Sequence, residues 1–367
     1  MKTNAELLNE RRERIRKAVA LEKPDKTPVV PLMDAFCAKH MGAPMAKFAT
    51  SLTYSNEVMV ESMKALGDLD GSDSAFVAAP LFPLGFMTRI KMPGKELPED
   101  MLWQLDEREV MTREDYDTIL SKGWPAFEDN YLRNRIGVPL DDVLAELANI
   151  PQMVQKMEDA GYVVYSPLVI NLVTEKISGG RSMPGFMKDL YQCPDKVEAV
   201  IDVIQEGTLN ELRQAIRATK SEYVFISPAR GASEFFRPKL WERFVWKYLK
   251  QVADAILEEG AVVNFHIDSN WERDLEYFKS FPKGKCVFET DGVTDIYKIK
   301  EALGDHMCIK GDVPAAMLAL GTPDQVYNYC TKLIRDMGPG FILSSGCALP
   351  ANAKVENVKA MIAAARS

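Results

Sequence analysis

Residues 261–268 read AVVNFHID, a run of β-branched and aromatic residues that ends in His266 and Asp268. A short apolar run of this kind is the pattern of a strand buried on both faces. It follows a long amphipathic helix predicted over Pro238–Glu259 and stopped by Gly260. The same alternation extends in both directions. Upstream lie β candidates at Thr27–Asp34, Gly71–Ala79, Tyr162–Ile170 and Tyr223–Arg230. Downstream lie Lys285–Gly292, Met307–Val313 and Gly340–Cys347. Thr322, Pro323 and Asp324 read as a helix start, and Gly338 closes that helix. Strands alternating with helices predict an α/β chain with a parallel sheet. Eight candidates suit a TIM (β/α)8 barrel over residues 27–367. A doubly wound open sheet is the alternative, disfavoured because no GxGxxG follows the first strand. Residues 1–26 read as an N-terminal helical extension. Residues 94–160, acidic and helical, read as an insertion between early strands.

Composition narrows the function. The 367 residues include 45 Lys+Arg and 53 Asp+Glu, a formal charge of −8, with 47% hydrophobic and 27% charged residues. These values describe a folded globular chain. The acidity argues against nucleic acid or an anionic membrane as partner. No apolar run reaches the ~20 residues of a membrane span, and the N-terminus lacks the apolar core of a secretory signal. The cytoplasm is the expected location. The six cysteines (37, 193, 286, 308, 330 and 347) form no CxxC pair and read mostly as buried thiols.

Nearly every β candidate ends in polar or reactive residues: Asp34, Ser227 and Arg230, His266 and Asp268, Glu289 and Asp291, Lys310 and Asp312, then Ser344, Ser345 and Cys347. In a parallel barrel these ends share one rim, where active sites of this fold are built. Capping of strands accounts for some of them, but not for a His, a Glu and a Cys at strands five, six and eight. His266 and Asp268, two residues apart, point to the same side of their strand. Nitrogen, carboxylate oxygen and thiolate together suit zinc. By itself an H-x-D pair is a weak signal.

Five stretches carry a resemblance: RIRKAVALEKPDKTPVVPLMD (14–34), SPLVINLVTEKISGG (166–180), FMKDLYQCPDKVEAVID (186–202), GDVPAAMLALGTPDQV (311–326) and SSGCALPANAKVENVKAMI (344–362). With these, the chain resembles the uroporphyrinogen decarboxylase superfamily from about Arg14 to Ala365. The resemblance implies a TIM barrel. The decarboxylase itself binds the carboxylates of a tetrapyrrole through N-terminal arginines. The matching stretch here, PLMDAFCAKH (31–40), has none, so such a substrate would lack its counterions. The corrinoid-dependent zinc methyltransferases of the superfamily are the better match. Their zinc ligands resemble His266, Glu289 and Cys347 in spacing, and Asp268 stands where that branch usually has a cysteine.

This resemblance implies Zn2+ held by His266, Asp268, Glu289 and Cys347. Exchanging a thiolate for a carboxylate makes the ion a harder Lewis acid, better suited to oxygen than to sulfur. The expected reaction is therefore O-demethylation of a small methoxylated aromatic, with the methyl group passed to the Co(I) corrinoid of a partner protein. No DxHxxG corrinoid motif occurs in the chain, so the corrinoid comes from another subunit. Asp34, Tyr165 and Lys310 are candidate proton donors or orienters. Phe36, Phe235, Phe236 and Trp271 are candidates for an aromatic slot. Arg230 is a candidate for a substrate carboxylate, or pairs with Glu234. The alternative activity is methyl transfer from a methylcorrinoid to a thiol or tetrahydrofolate; tetrapyrrole decarboxylation is the remote one.

Overall fold

The structure is a computed structural model and describes residues 2–367; Met1 of the N-terminal extension lies outside the described residues. Eight parallel segments close on one another. β1 (28–32) is an extended segment making isolated bridges, Val29 to Leu343 and Leu32 to Ala348. β2 is Gly71–Ser72. β3 (163–171) is a bent strand with paired stretches Val163–Val164 and Leu168–Asn171. β4 is Tyr223–Ser227, β5 Val262–Ile267, β6 Cys286–Thr290, β7 Cys308–Val313 and β8 Phe341–Ser345. β3 to β8 form one continuous parallel sheet. Closure comes through the first two strands. The Val30 N–H donates to Leu343 O at 3.0 Å, the Asp70 N–H to Val29 O at 2.9 Å, and β2 pairs with β3 at Gly71–Val163. The chain is the TIM barrel that its strand count predicts.

Register sets the chemistry. His266 of β5 is level with Glu289 of β6, and Glu289 is level with Lys310 of β7. Alternation along each strand turns these side chains, with Asn264 two residues below His266, to the same side.

The barrel floor is apolar. Val30, Val163, Tyr165, Tyr223, Val287, Cys308 and Ile342 pack together, and the helix α1 (Asn4–Val19) closes the end with Ile15, Ala18 and Val19. A capping box starts α1: Thr3 accepts from the Glu6 N–H, and Glu6 accepts from the Thr3 N–H. Beneath it Asp70, fully buried, accepts from Arg14, from the Val29 N–H at 2.7 Å and from Arg366 at 2.7 Å. This hub joins α1, the β1–β2 edge and the C-terminus.

The long segment after β4 runs Pro238–Trp241, a π turn at Glu242–Trp246, and Lys247–Glu258. It buries Trp241, Phe244, Tyr248 and Leu249 against the sheet. Between β2 and β3 lie a hairpin (Arg89–Lys91 with Gln104–Asp106) and four helices from Glu114 to Asp159. The hairpin begins ahead of residue 94, because its strands are too short to show a sequence period. Among the described residues no helix is long and apolar enough to cross a membrane.

Candidate metal centre

Three of the residues expected as ligands converge at the barrel mouth. His266 ends β5, Asp268 follows it, and Cys347 follows β8. His266 Nε2 lies 3.6 Å from Asp268 Oδ1 and 3.6 Å from Cys347 Sγ. Donor atoms of all three lie within 4.8 Å of one another. Around a tetrahedral zinc with bonds of ~2.0–2.3 Å, donors sit about 3.3–3.8 Å apart. Both spacings from Nε2 fall in that range, so the donor set fits the ion in element type and the imidazole sits at a suitable distance from each partner.

Local sequence explains the convergence. A Cβ on Gly346 would stand 2.4 Å from Asp291 O, so only glycine lets the Cys347 loop pass this close to the end of β6. The Ser345 hydroxyl donates to Cys347 O and folds the loop back. The Trp271 indole N–H donates to Asp268 O at 2.9 Å, fixing the other arm. Burial pushes the Cys37, Cys286 and Cys330 thiols up to about 12, whereas Cys347 is exposed.

Glu289 does not join this group. It stands at the opposite edge of the imidazole, Oε1 3.2 Å from Nδ1, although the ring N–H is not aimed at the oxygen and makes no hydrogen bond. Its oxygens are already engaged: Oε1 accepts from Lys310 Nζ at 2.7 Å and Oε2 from Asn264 Nδ2 at 2.7 Å. In this arrangement Glu289 holds the Nδ1 edge of His266, and Asp268 and Cys347 cluster at Nε2. Level register with His266 places it beside the ring, whereas the other two donors lie beyond it.

Lys310, expected as a proton donor or orienter, is fully buried and held by Asp73 (2.7 and 2.6 Å) and Glu289, whose carboxylate it orients. Burial works against the Glu289 charge, but Lys310 and His266 outweigh it and hold the carboxyl down to about 2. Asp73 is driven the other way, to about 7, by burial and by Glu289. For His266, burial opposes the charged ring, but Glu289, Asp268 and Cys347 push its pKa well above the usual histidine range. The chamber is thus built to hold positive charge at His266, whether as a proton or as a metal ion beyond Nε2.

Tyr165 lies in the floor cluster, its ring tilted against Tyr223 at 4.7 Å, with its hydroxyl unpartnered. Phe36 is buried and stacks on His40, Phe236 is buried in the core, and Trp271 is wedged between Trp241 and Phe278. None of these three lines an open slot. Phe235 is 46% exposed on the rim. Arg230 pairs with Glu107, not Glu234, whose carboxylate accepts the Asn270 N–H. Asp34 keeps one buried, unpartnered carboxyl oxygen, and burial raises its pKa to about 7 against one backbone hydrogen bond. The Leu32–Ala348 bridge brings it alongside the Cys347 loop.

Asp73, Asn264 and Glu175 are polar site residues that the strand ends did not single out. Asn264 carried a signal, being two residues before His266 on the same face. Glu175 is fully buried, accepts the Arg230 N–H at 2.7 Å and leaves Oε2 unpartnered.

The uroporphyrinogen decarboxylase (URO-D) family pattern matches residues 169–367, more than half of the chain and the part that carries every ligand above. The chain belongs to the uroporphyrinogen decarboxylase family. Among curated proteins none matches it. Among solved structures, this URO-D family chain is similar to a methyltransferase from Methanosarcina mazei, with 18% identity and a TM-score of 0.71. The alignment covers 96% of this chain and 97% of that one. A likeness at that identity shows the shared barrel.

Proposed function

We propose that this URO-D family protein is a zinc-dependent methyltransferase that demethylates a methoxylated aromatic and passes the methyl group to the Co(I) corrinoid of a partner protein. The observation that carries the proposal is the convergence of one imidazole, one carboxylate and one thiolate at the barrel mouth. His266, Asp268 and Cys347 would hold the ion, leaving a tetrahedral site one place short, the pattern of catalytic zinc. When bound, zinc supplies a Lewis acid for the ether oxygen, and a ligand set with a single thiolate keeps it hard.

The chain's own residues supply the rest. Glu289 stands behind the imidazole, as outer-shell carboxylates do when they orient a ligating histidine. Asn264, Lys310 and Asp73 fix Glu289 in turn. As the methyl carbon leaves its oxygen for cobalt, the bonding pair stays on the departing phenolate. Asp34, carboxylic below about pH 7, is the group we propose to protonate it. Phe235, Val293 and Leu320 stand exposed in the segments after β4, β6 and β7, Leu320 at the end of the helix Ala315–Leu320. They give the mouth an apolar margin on which a corrinoid-bearing partner can dock.

The test is a panel of methoxyarenes, methanol and methylamines offered with reduced cobalamin to the zinc-loaded protein. Methyl transfer from a methoxyarene supports the proposal. Transfer from methylcobalamin to a thiol or tetrahydrofolate, with every methoxyarene ignored, replaces it.

A further inference from the structure

The rim carries a second polar feature that zinc chemistry does not use. Arg230 lies three residues past the end of β4, one strand from His266, with its guanidinium 5.1 Å from the centre of the Phe86 ring. A guanidinium is a planar fork of five donors, matched to the two oxygens of a carboxylate. Here Nη2 alone is paired, to Glu107, while Nη1 is buried with no partner. Glu107 comes from the insertion, just after the hairpin, and its side chain is 52% exposed. It makes no other polar contact among the described residues. So a largely buried, under-used arginine fork is covered by one carboxylate reaching in from solvent.

The surroundings hold Arg230 in place for a ligand. Its backbone N–H donates to Glu175 at 2.7 Å, and the Glu175 carboxyl is near enough to Asp268 for their charges to interact. A Cβ on Gly179 would stand 1.7 Å from Phe86 O and 3.0 Å from Arg230 Nη1, so glycine there lets the arginine and the Phe86 loop close together. Phe86 supplies an aromatic face beside the fork.

We propose that Arg230 is a specificity-determining residue for a carboxylated methyl donor, an aromatic acid whose carboxylate takes the place on the guanidinium that Glu107 holds in the free protein. This deepens the reading above and rests on the mouth being where a methoxylated aromatic reacts. Glu107 acts as a gate: it neutralises the arginine when no substrate is present and rejects ligands that bring no carboxylate to displace it.

The experiment is calorimetric titration of the zinc-loaded protein, without corrinoid, with 4-methoxybenzoate, benzoate and methoxybenzene. The wild type is expected to bind both acids at least about tenfold more tightly than methoxybenzene, the scale of a charge-assisted hydrogen-bonded pair. Arg230→Gln should bring the three ligands within about threefold of one another, and Arg230→Lys should restore part of the preference. Glu107→Gln should tighten both acids severalfold. Equal binding of the three ligands by the wild type, or a preference that survives in Arg230→Gln at unchanged melting temperature, overturns the proposal. Acids that bind through Arg230 without any methoxyarene being demethylated would uphold this site and defeat the ether reading instead.

Discussion

Glu289 stands level with His266 across the β5–β6 ladder, its Oε1 3.2 Å from Nδ1 of the imidazole. On the proposed reading that relationship divides the labour of the site: Nε2 is left for the ion, and the Glu289 charge stands beside Nδ1. Glu289→Gln keeps the shape and removes the charge. It should weaken zinc binding about 10–100-fold, the usual effect of an outer-shell partner, whereas Cys347→Ala should lose most of the zinc. Competition with a chromogenic chelator measures both. Equal losses in the two variants would put Glu289 back among the direct ligands.

Lys310 carries the positive charge that lets two carboxylates share the lumen. Lys310→Met strands Glu289 and Asp73 and should destabilise the fold by about 3–5 kcal/mol, the cost of breaking a buried ion pair. Adding Asp73→Asn to Lys310→Met should recover part of that loss, because one stranded charge is gone. Urea unfolding of the two variants decides it. A double variant weaker than the single one would show that the residues do not act as a charge pair.

Asp34 links rate to pH. Its carboxyl is protonated, and able to donate, below about 7. The rate of phenol release should fall as pH rises through that value. Asp34→Asn should cost roughly a hundredfold at pH 6 and abolish this limb of the profile. A limb unchanged in Asp34→Asn would assign the proton to another group.

At the floor, Asp70→Ala leaves the Arg14 and Arg366 guanidinia without their shared carboxylate. The expected loss is about 3 kcal/mol or more of stability, with zinc affinity unchanged because the hub lies at the other end of the barrel. Thermal melting and chelator competition, run on the same sample, check both halves. A parallel loss of zinc would mean that floor and mouth are coupled.

The strands and the His266–Asp268 pair were legible because both follow short-range rules, and Cys347 joins that pair through the shared rim of the barrel. Runs such as VVNFHI and CVFET declare buried strands, and a period of two puts His266 and Asp268 on one side. The role of Glu289 was not legible, since which edge of an imidazole a neighbour meets depends on strand register. Asp73 was hidden just after a strand only two residues long. Phe36, Phe236 and Trp271 misled for a different reason. Aromatic residues near strand ends suggest a slot, but the large apolar area of each is worth more in the core. Arg230 follows β4 as the sequence implied, but it pairs with Glu107 and not with the nearby Glu234; Glu107, far away in the insertion, was beyond any local pattern.

The central claim is that a zinc ion on His266, Asp268 and Cys347 activates an aryl methyl ether toward a corrinoid. The measurement that tests it most directly is the anaerobic yield of methylcobalamin per phenol released from a methoxyarene, followed by absorbance, for zinc-loaded, zinc-stripped and Cys347→Ala protein. The account predicts one methylcobalamin per phenol in the zinc-loaded form and next to none in the other two. Equal yields from all three forms, or none from the zinc-loaded form while a thiol is methylated, would contradict it.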